Sequence, residues 1–183
     1  MSVFSNPASG AREQAAAYIS AVLELVEGSD PFEILRGTPA AAAAAVRGLT
    51  RDQIVRPEGE GKWSMGQVLQ HLADSELVWG YRLRMVLAQE RPPLTGYDQD
   101  LWAARLGYAL EEPEDALGVF GVLRSANLRL LDRATEDDLE RVGVHNERGE
   151  ESVRHMIRLY AGHDLVHRRQ LERIRAGSVG APG

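Results

Sequence analysis

The sequence predicts an all-α protein folded as one domain. Four long segments place apolar residues every three or four positions, no run alternates at period two for long, and the length is close to that of one domain. The 183 residues are 44% hydrophobic and 26% charged, a globular balance that excludes fibrous and wholly disordered classes. Twenty-one basic residues against 27 acidic ones leave a net charge of −6. The basic residues are scattered, which argues against a nucleic-acid partner. The absence of cysteine removes disulfides, thiolate metal sites and a cysteine nucleophile, so any thiol chemistry needs a thiol from outside. Met1–Pro7 has no basic region followed by an apolar run, and nothing approaches the ~20 apolar residues of a membrane span. A cytoplasmic protein is the expectation.

The first helix is expected from about Ala11 to Val26, with Ala15, Ile19, Val22 and Val26 on one face and Gly28 ending it. Asp30-Pro31 then starts a short helical turn. Thr38-Pro39 reads as an N-cap with proline at the first helical position, opening the alanine run Ala40–Ala45. Ser64 and Gln67 form an S-x-x-Q capping box, with Trp63 placed to staple onto Val68. That second long helix continues through Leu72, Trp79, Leu83 and Val86 until Arg91-Pro92-Pro93. Leu94–Gly107, with Tyr97 and Trp102, is too aromatic for a solvated linker and reads as a folded crossover. A third helix from Pro113 to about Arg133 buries Ala116, Phe120, Leu123, Leu130 and Leu131, and Asn127 interrupts its stripe. Val144–Gly149 reads as a polar loop. The fourth helix is expected from Ser152 to just before Gly177, giving one domain over 1–183 with a core of about 9–176 and a frayed tail, 177–183.

The fourth helix carries the candidate chemistry. Its inward stripe runs Val153, Met156, Tyr160, His163, His167, Leu171 and Ile174. Histidines four apart on a helix lie within roughly 6 Å at Cβ, so His163 and His167 can reach one cation. A lone histidine on an apolar face is more often a hydrogen-bonded core residue than a ligand, but two in consecutive core slots favour metal. A catalytic site needs a third protein ligand, and His71, at the edge of the buried face of the second helix, is the best candidate. His145, in the loop, and His155, off the stripe, are expected to face solvent. His163-Asp164-x-x-His167 differs from a zincin H-E-x-x-H helix by its shorter acid, and Asp164 is placed for an i,i+4 pair with Arg168. Asp74, three residues after His71, is a candidate to orient a ligand imidazole or else an exposed acid.

Lys62-Trp-Ser-Met-Gly-Gln-Val-Leu-Gln-His71-Leu-Ala-Asp74-Ser-Glu, Gly149-Glu-Glu-Ser-Val and His163-x-x-x-His167 together resemble the DinB-like superfamily. Gly96-Tyr97-Asp98-Gln-Asp-Leu-Trp102 after a Pro-Pro turn resembles its YfiT-like branch of metal-dependent hydrolases, which includes bacillithiol S-transferases. The resemblance spans about Trp63 to Gln170. It implies a four-helix bundle of up-down-down-up connectivity with short extra helices, and one divalent ion, zinc or nickel, on His71, His163 and His167. It also implies a small-molecule substrate and a homodimer. The chain departs from the branch at Gly162 and Val166, where relatives carry aromatic and histidine residues.

The leading expectation is a thiol S-transferase of detoxification or stress response, in which the ion activates a low-molecular-weight thiol such as bacillithiol. The second is hydrolysis of an amide or ester through activated water, with Asp74 or Asp164 as base. The third is a metal-binding stress protein without turnover. Tyr97, Trp102 and Tyr160 are the candidate pocket residues.

Overall fold

The computed structural model describes residues 12–179. Along the chain run α1 (Arg12–Glu24), α2 (Pro31–Val46), α3 (Arg51–Val55), α4 (Met65–Ala88), β1 (Pro93–Leu94), α5 (Gln99–Arg105), α6 (Pro113–Leu131), the single turn α7 (Glu136–Leu139), β2 (Val142–His145), β3 (Gly149–Ser152) and α8 (Val153–Val179). Helices α2, α4, α6 and α8 form a bundle, and α1 lies against α8.

Side-chain pairings set the helix directions. Gly66 meets Pro113, Glu76 meets Arg124 and Gly80 meets Asn127, so α4 and α6 run parallel. Trp79 stacks on Tyr160 while His71 faces His167, so α8 runs antiparallel to α4. Arg175 donates to the Ala45 carbonyl, and Arg124 bonds both Leu35 and Asp164, so α2 is parallel to α8. The connectivity is therefore up-down-down-up. A parallel pair consecutive in sequence cannot be joined by a tight turn, which is why residues 89–112, holding α5, cross the length of the bundle.

The α4 start follows the predicted capping box: the Gln67 backbone N–H donates to Ser64 Oγ at 3.2 Å, and the Ser64 N–H donates to Gln67 Oε1 at 3.0 Å. The helix stops at Ala88, with Gln89 extended at φ −126° and Arg91 at φ 44° ahead of the two prolines. The expectation that Thr38-Pro39 opens a new helix is corrected. One helix starts at Asp30, whose carboxylate accepts from the Phe32 N–H at 2.8 Å, and it runs through Pro39 to Val46. Pro39 has no N–H for the carbonyl four residues back. That carbonyl, of Leu35, instead accepts from Arg124 Nη1 at 2.7 Å.

Two apolar clusters fill the bundle, one around Leu35, Trp79, Leu83 and Met156, the other around Met65, Leu69, Leu72, Phe120 and Leu171. Between them every bundle helix contributes buried polar groups: Thr38 from α2, His71, Ser75 and Glu76 from α4, Arg124 and Asn127 from α6, and Asp164 and His167 from α8. Arg124 is the hub of this layer. Its Nε donates to Glu76 at 2.9 Å, its Nη1 and Nη2 donate to Asp164 at 2.6 and 3.0 Å, and the Leu35 bond adds the fourth helix. Phe120, Trp79 and Tyr160 surround the guanidinium at 4.9, 5.8 and 5.9 Å from their ring centroids. Asn127, which interrupts the apolar stripe in sequence, donates to Glu76 Oε1 at 2.7 Å. Each buried carboxylate has the guanidinium as its partner, but two acids share one cation, and burial together with this surplus of negative charge raises the Glu76 carboxyl above its ordinary value.

The expected polar loop 144–149 is instead a hairpin. β2 and β3 pair antiparallel, and β1 adds in parallel to β2. With strands of two to four residues there is too little chain to show an alternating pattern. The fourth helix begins as expected, with Ser152 Oγ accepting the His155 N–H at 3.1 Å, but it continues to Val179 past the expected stop. Residues 180–183 of the expected tail, and the side chain of Ala15, lie outside the described residues. No helix among the described residues is long and apolar enough to cross a membrane.

Candidate metal centre

His71 on α4 and His163 and His167 on α8 converge where the antiparallel helices pass. One ring nitrogen from each lies within 4.8 Å of the other two. His71 Nε2 and His163 Nε2 are 3.1 Å apart, and the His167 ring centroid is 4.7 Å from that of His71 and 4.4 Å from that of His163. Among the described residues this is the group of three able to share an ion.

The electrostatics suit a cation ligand set. Burial, reinforced by the neighbouring His167, pulls the His71 pKa well below 6.5; burial and the other two imidazoles do the same to His163. His167 is lowered chiefly by burial. All three are therefore neutral at pH 7, the form that ligates metal. His167 Nδ1 lies 2.9 Å from Gln170 Oε1, a contact that makes Nδ1 the protonated nitrogen and frees Nε2.

A divalent ion fits this donor set on internal grounds. Two bonds of roughly 2.1 Å to one ion put their nitrogens about 3.0 to 3.4 Å apart for angles from 90° to tetrahedral, and the 3.1 Å between His71 and His163 falls in that span. The Nδ1 atoms of both are buried without a hydrogen-bond partner, so the polar contacts of both rings are made at Nε2, the atoms that converge.

The two sequence-nominated acids are placed elsewhere. Asp74 accepts from Tyr108 Oη at 2.7 Å and Gln70 Nε2 at 3.3 Å, both away from His71. Asp164 pairs with Arg124 instead of the expected Arg168. What does reach His71 is Ser75, whose Oγ lies 3.3 Å from Nε2 and 2.8 Å from the Tyr97 hydroxyl.

A pocket of about 80 Å³ opens beside His71 and His163, and Tyr97 and Tyr160 are in its lining. Trp102 stands behind Tyr97 with ring centroids 4.5 Å apart, and is not in the wall. Sequence reasoning did not find Tyr18, Arg82, Arg148 or Glu151, which also line it. They come from α1, the far end of α4 and the hairpin, and no local signal marks them. α1 reaches the pocket because Gly162 lets it approach. A Cβ at Gly162 would stand 2.3 Å from the Val22 carbonyl oxygen, which explains the missing side chain before His163.

The expectation for His145 is corrected. It is 2% exposed, its Nδ1 accepts the Glu147 N–H at 3.2 Å, and burial together with Arg148 and Arg82 lowers its pKa to about 4. β2 turns alternate residues inward, and His145 is one of them. His155 is half-buried, and burial lowers its pKa as well.

Comparison with known proteins agrees with this architecture. The solved structure of YfiT from Bacillus subtilis, described as "a probable metal-dependent hydrolase with an unusual four-helix bundle topology", superposes with a TM-score of 0.71 at 25% identity, covering 92% of this chain and 91% of that one. Two further relatives have names that propose a metal-dependent hydrolase. One, from Geobacillus kaustophilus, is 30% identical over 142 residues, 77% of this chain and 80% of its own length. The other, from Oceanobacillus iheyensis, is 32% identical over 119 residues, 65% and 69% of the two lengths. A model of the DinB superfamily matches residues 34–171, and with bundle, connectivity and histidine cluster all in place the chain belongs to the DinB superfamily.

Proposed function

We propose that this protein is a divalent-metal-dependent hydrolase of small molecules, with the ion held by His71, His163 and His167. The observation that carries the reading is the convergence of three neutral imidazoles from two helices on one point, with two of them, His71 and His163, in the wall of a pocket. The names of the relatives support the same class. A bound divalent ion supplies Lewis acidity, which makes a nucleophile of water or of a thiol at neutral pH. The chain's own residues provide the remainder. Ser75 and Tyr97 form a hydroxyl pair beside His71, able to hold a substrate oxygen and pass hydrogen bonds between it and solvent. Tyr18, Tyr97 and Tyr160 narrow the pocket and limit water. Burial raises the pKa of each, and strongly for Tyr160, so they act as neutral donors.

One observation favours thiol transfer as a second reading. Asp74 is engaged by Tyr108 and Gln70, and Asp164 by Arg124, so neither nominated carboxylate stands free as a base. A thiol, whose pKa is far closer to neutrality than that of water, needs less help from a base. The absence of cysteine from the chain fits an external thiol. Zinc and nickel both suit three nitrogen ligands.

Elemental mass spectrometry of untagged protein purified without chelator, followed by ester, amide and thiol–electrophile panels, tests both readings. About one zinc or nickel per chain is expected, lost in folded His71→Ala and His163→Ala variants. Absence of metal from well-folded protein after reconstitution overturns the proposal. Turnover of esters or amides without added thiol supports hydrolysis; turnover only with thiol supports transfer.

A further inference from the structure

The pocket wall carries polar groups that the metal reading does not use. Among them, Arg82 Nε, Tyr160 Oη and Trp79 Nε1 are buried without a partner. The guanidinium and indole can only donate, and the phenol, neutral at pH 7, can donate too, so the missing partner is an acceptor. Arg82 is the charged member. Its Nη2 donates to the Thr95 carbonyl, yet no described carboxylate pairs with it. Of the other charges in the lining, Arg148 and Glu151 form a two-bond pair at 2.5 and 2.9 Å, while the Glu147 carboxylate lies beside Gly96, where a Cβ would meet its Oε1 at 2.8 Å, and makes no ion pair with Arg82. Burial and the nearby Arg148 both work against the Arg82 charge, but a guanidinium stays protonated at neutral pH, and so this half-buried cation lacks a counter-charge.

We infer that Arg82 binds the carboxylate of a monoanionic substrate, at the end of the pocket away from His71 and His163. The inference rests on the reading of the pocket as the substrate site. One cation without an ion-pair partner, in a wall that also holds the neutral donors Tyr160 and Trp79, matches a single negative charge, whereas a phosphate dianion would need a second free cation. Arg82 lies about three helical turns from His71, roughly 16 Å of rise, and side chains lean toward the helix N-terminus, so Arg82 reaches back along the pocket without arriving at the ion. Val78, Met156 and Leu159 line the pocket along with these groups. The substrate class is therefore an organic acid whose reacting carbonyl or electrophilic carbon is separated from its carboxylate by an apolar segment, with the carboxylate not a ligand of the metal.

The test is an NMR titration with succinamate and with its neutral analogue succinamide, which differ in one carboxylate, and with inorganic phosphate as a third probe. It is run on the protein as purified and after loading with zinc. The Arg82 Nε–H resonance, assigned by its loss in Arg82→Lys, is expected to move with succinamate and stay with succinamide. A charged hydrogen bond of this kind corresponds to an affinity preference of about 10- to 100-fold for the anion. Arg82→Gln is expected to abolish that preference while leaving the weak succinamide binding, and Arg82→Lys to keep part of it. An unmoved Nε–H in the wild type overturns the inference without any variant having to fold, as does an equal preference in Arg82→Gln, or phosphate binding at Arg82 as tight as succinamate. Because the anion end is remote from the ion, the preference is expected with and without zinc. Failure of the protein to take up zinc would overturn the metal reading and leave this comparison readable.

Discussion

Replacing Arg124 with methionine removes a group that ties all four bundle helices together. Glu76 and Asp164, both fully buried, would face each other's charge without the guanidinium between them, and the Leu35 carbonyl would lose the donor that substitutes for the missing Pro39 N–H. Removing one partner of a buried ion pair costs about 3–5 kcal/mol, and an unsatisfied buried carbonyl adds about 1–3 kcal/mol. With two carboxylates stranded, the loss at pH 7.5 is expected at about 5 kcal/mol or more, comparable with the ~5–15 kcal/mol that holds a typical domain together. Urea denaturation followed by circular dichroism reads it. The triple variant Arg124→Met/Glu76→Gln/Asp164→Asn, with no stranded charge, is expected to recover most of the loss.

The pH dependence of the single variant gives a second reading. Burial already raises the Glu76 carboxyl above its ordinary 4.5 against the opposing pull of Arg124 and Asn127, and without Arg124 burial acts less opposed. An acid whose folded pKa is raised contributes stability below its unfolded value and loses it as pH rises through the folded value. The deficit of Arg124→Met should therefore shrink from pH 7.5 toward pH 5. A loss below about 2 kcal/mol at pH 7.5, or a triple variant no more stable than the single, would refute the account of this layer.

Further outcomes follow from the same geometry. Gly162→Ala would drive a Cβ into the Val22 backbone, so α1 should lift from α8 at a cost of about 1–3 kcal/mol, seen as faster amide exchange across α1; unchanged exchange there would contradict the close approach. His145, held near pKa 4 by burial and two arginines, has a depressed folded pKa. Its contribution to stability is whole above its unfolded value of about 6.5 and is lost as pH falls toward 4, so His145→Gln should flatten the thermal-midpoint profile across pH 4–6.5. A parallel profile would remove His145 from the acid-sensitive set. Tyr97→Phe breaks the 2.8 Å contact with Ser75 and should lower turnover of the metal-loaded protein about tenfold or more without changing metal content; full activity would take the hydroxyl pair out of the site.

Much of this arrangement is legible in the chain alone. The period of 3.6 marks buried faces, and because residues four apart share a face, His163 and His167 declare themselves as a pair with no knowledge of the fold. Ser64 and Gln67 satisfy each other's backbone across three residues, so the start of α4 is local information. The proline at 39 misleads for an instructive reason. Its local effect is to open a helix or break one, and only a guanidinium from α6, 85 positions away by number (Arg124 against Pro39), makes a continuous helix tolerable.

What the sequence by itself determined is the helical class, the starts of α4, α6 and α8, and three histidines on buried faces, all consequences of interactions within a few residues. The tertiary structure decided the partners. A periodic stripe reports that a side chain is buried and is silent on what it meets, so the pairing of Asp164 with Arg124, the burial of His145 in a four-residue strand, and the position of Arg82 on the pocket wall appear only when α1, α4, α6, α8 and the hairpin are brought together. Burial of a charge is permitted only by a counter-charge or a ligand, and that requirement is met across the fold, where no short window of sequence can display it.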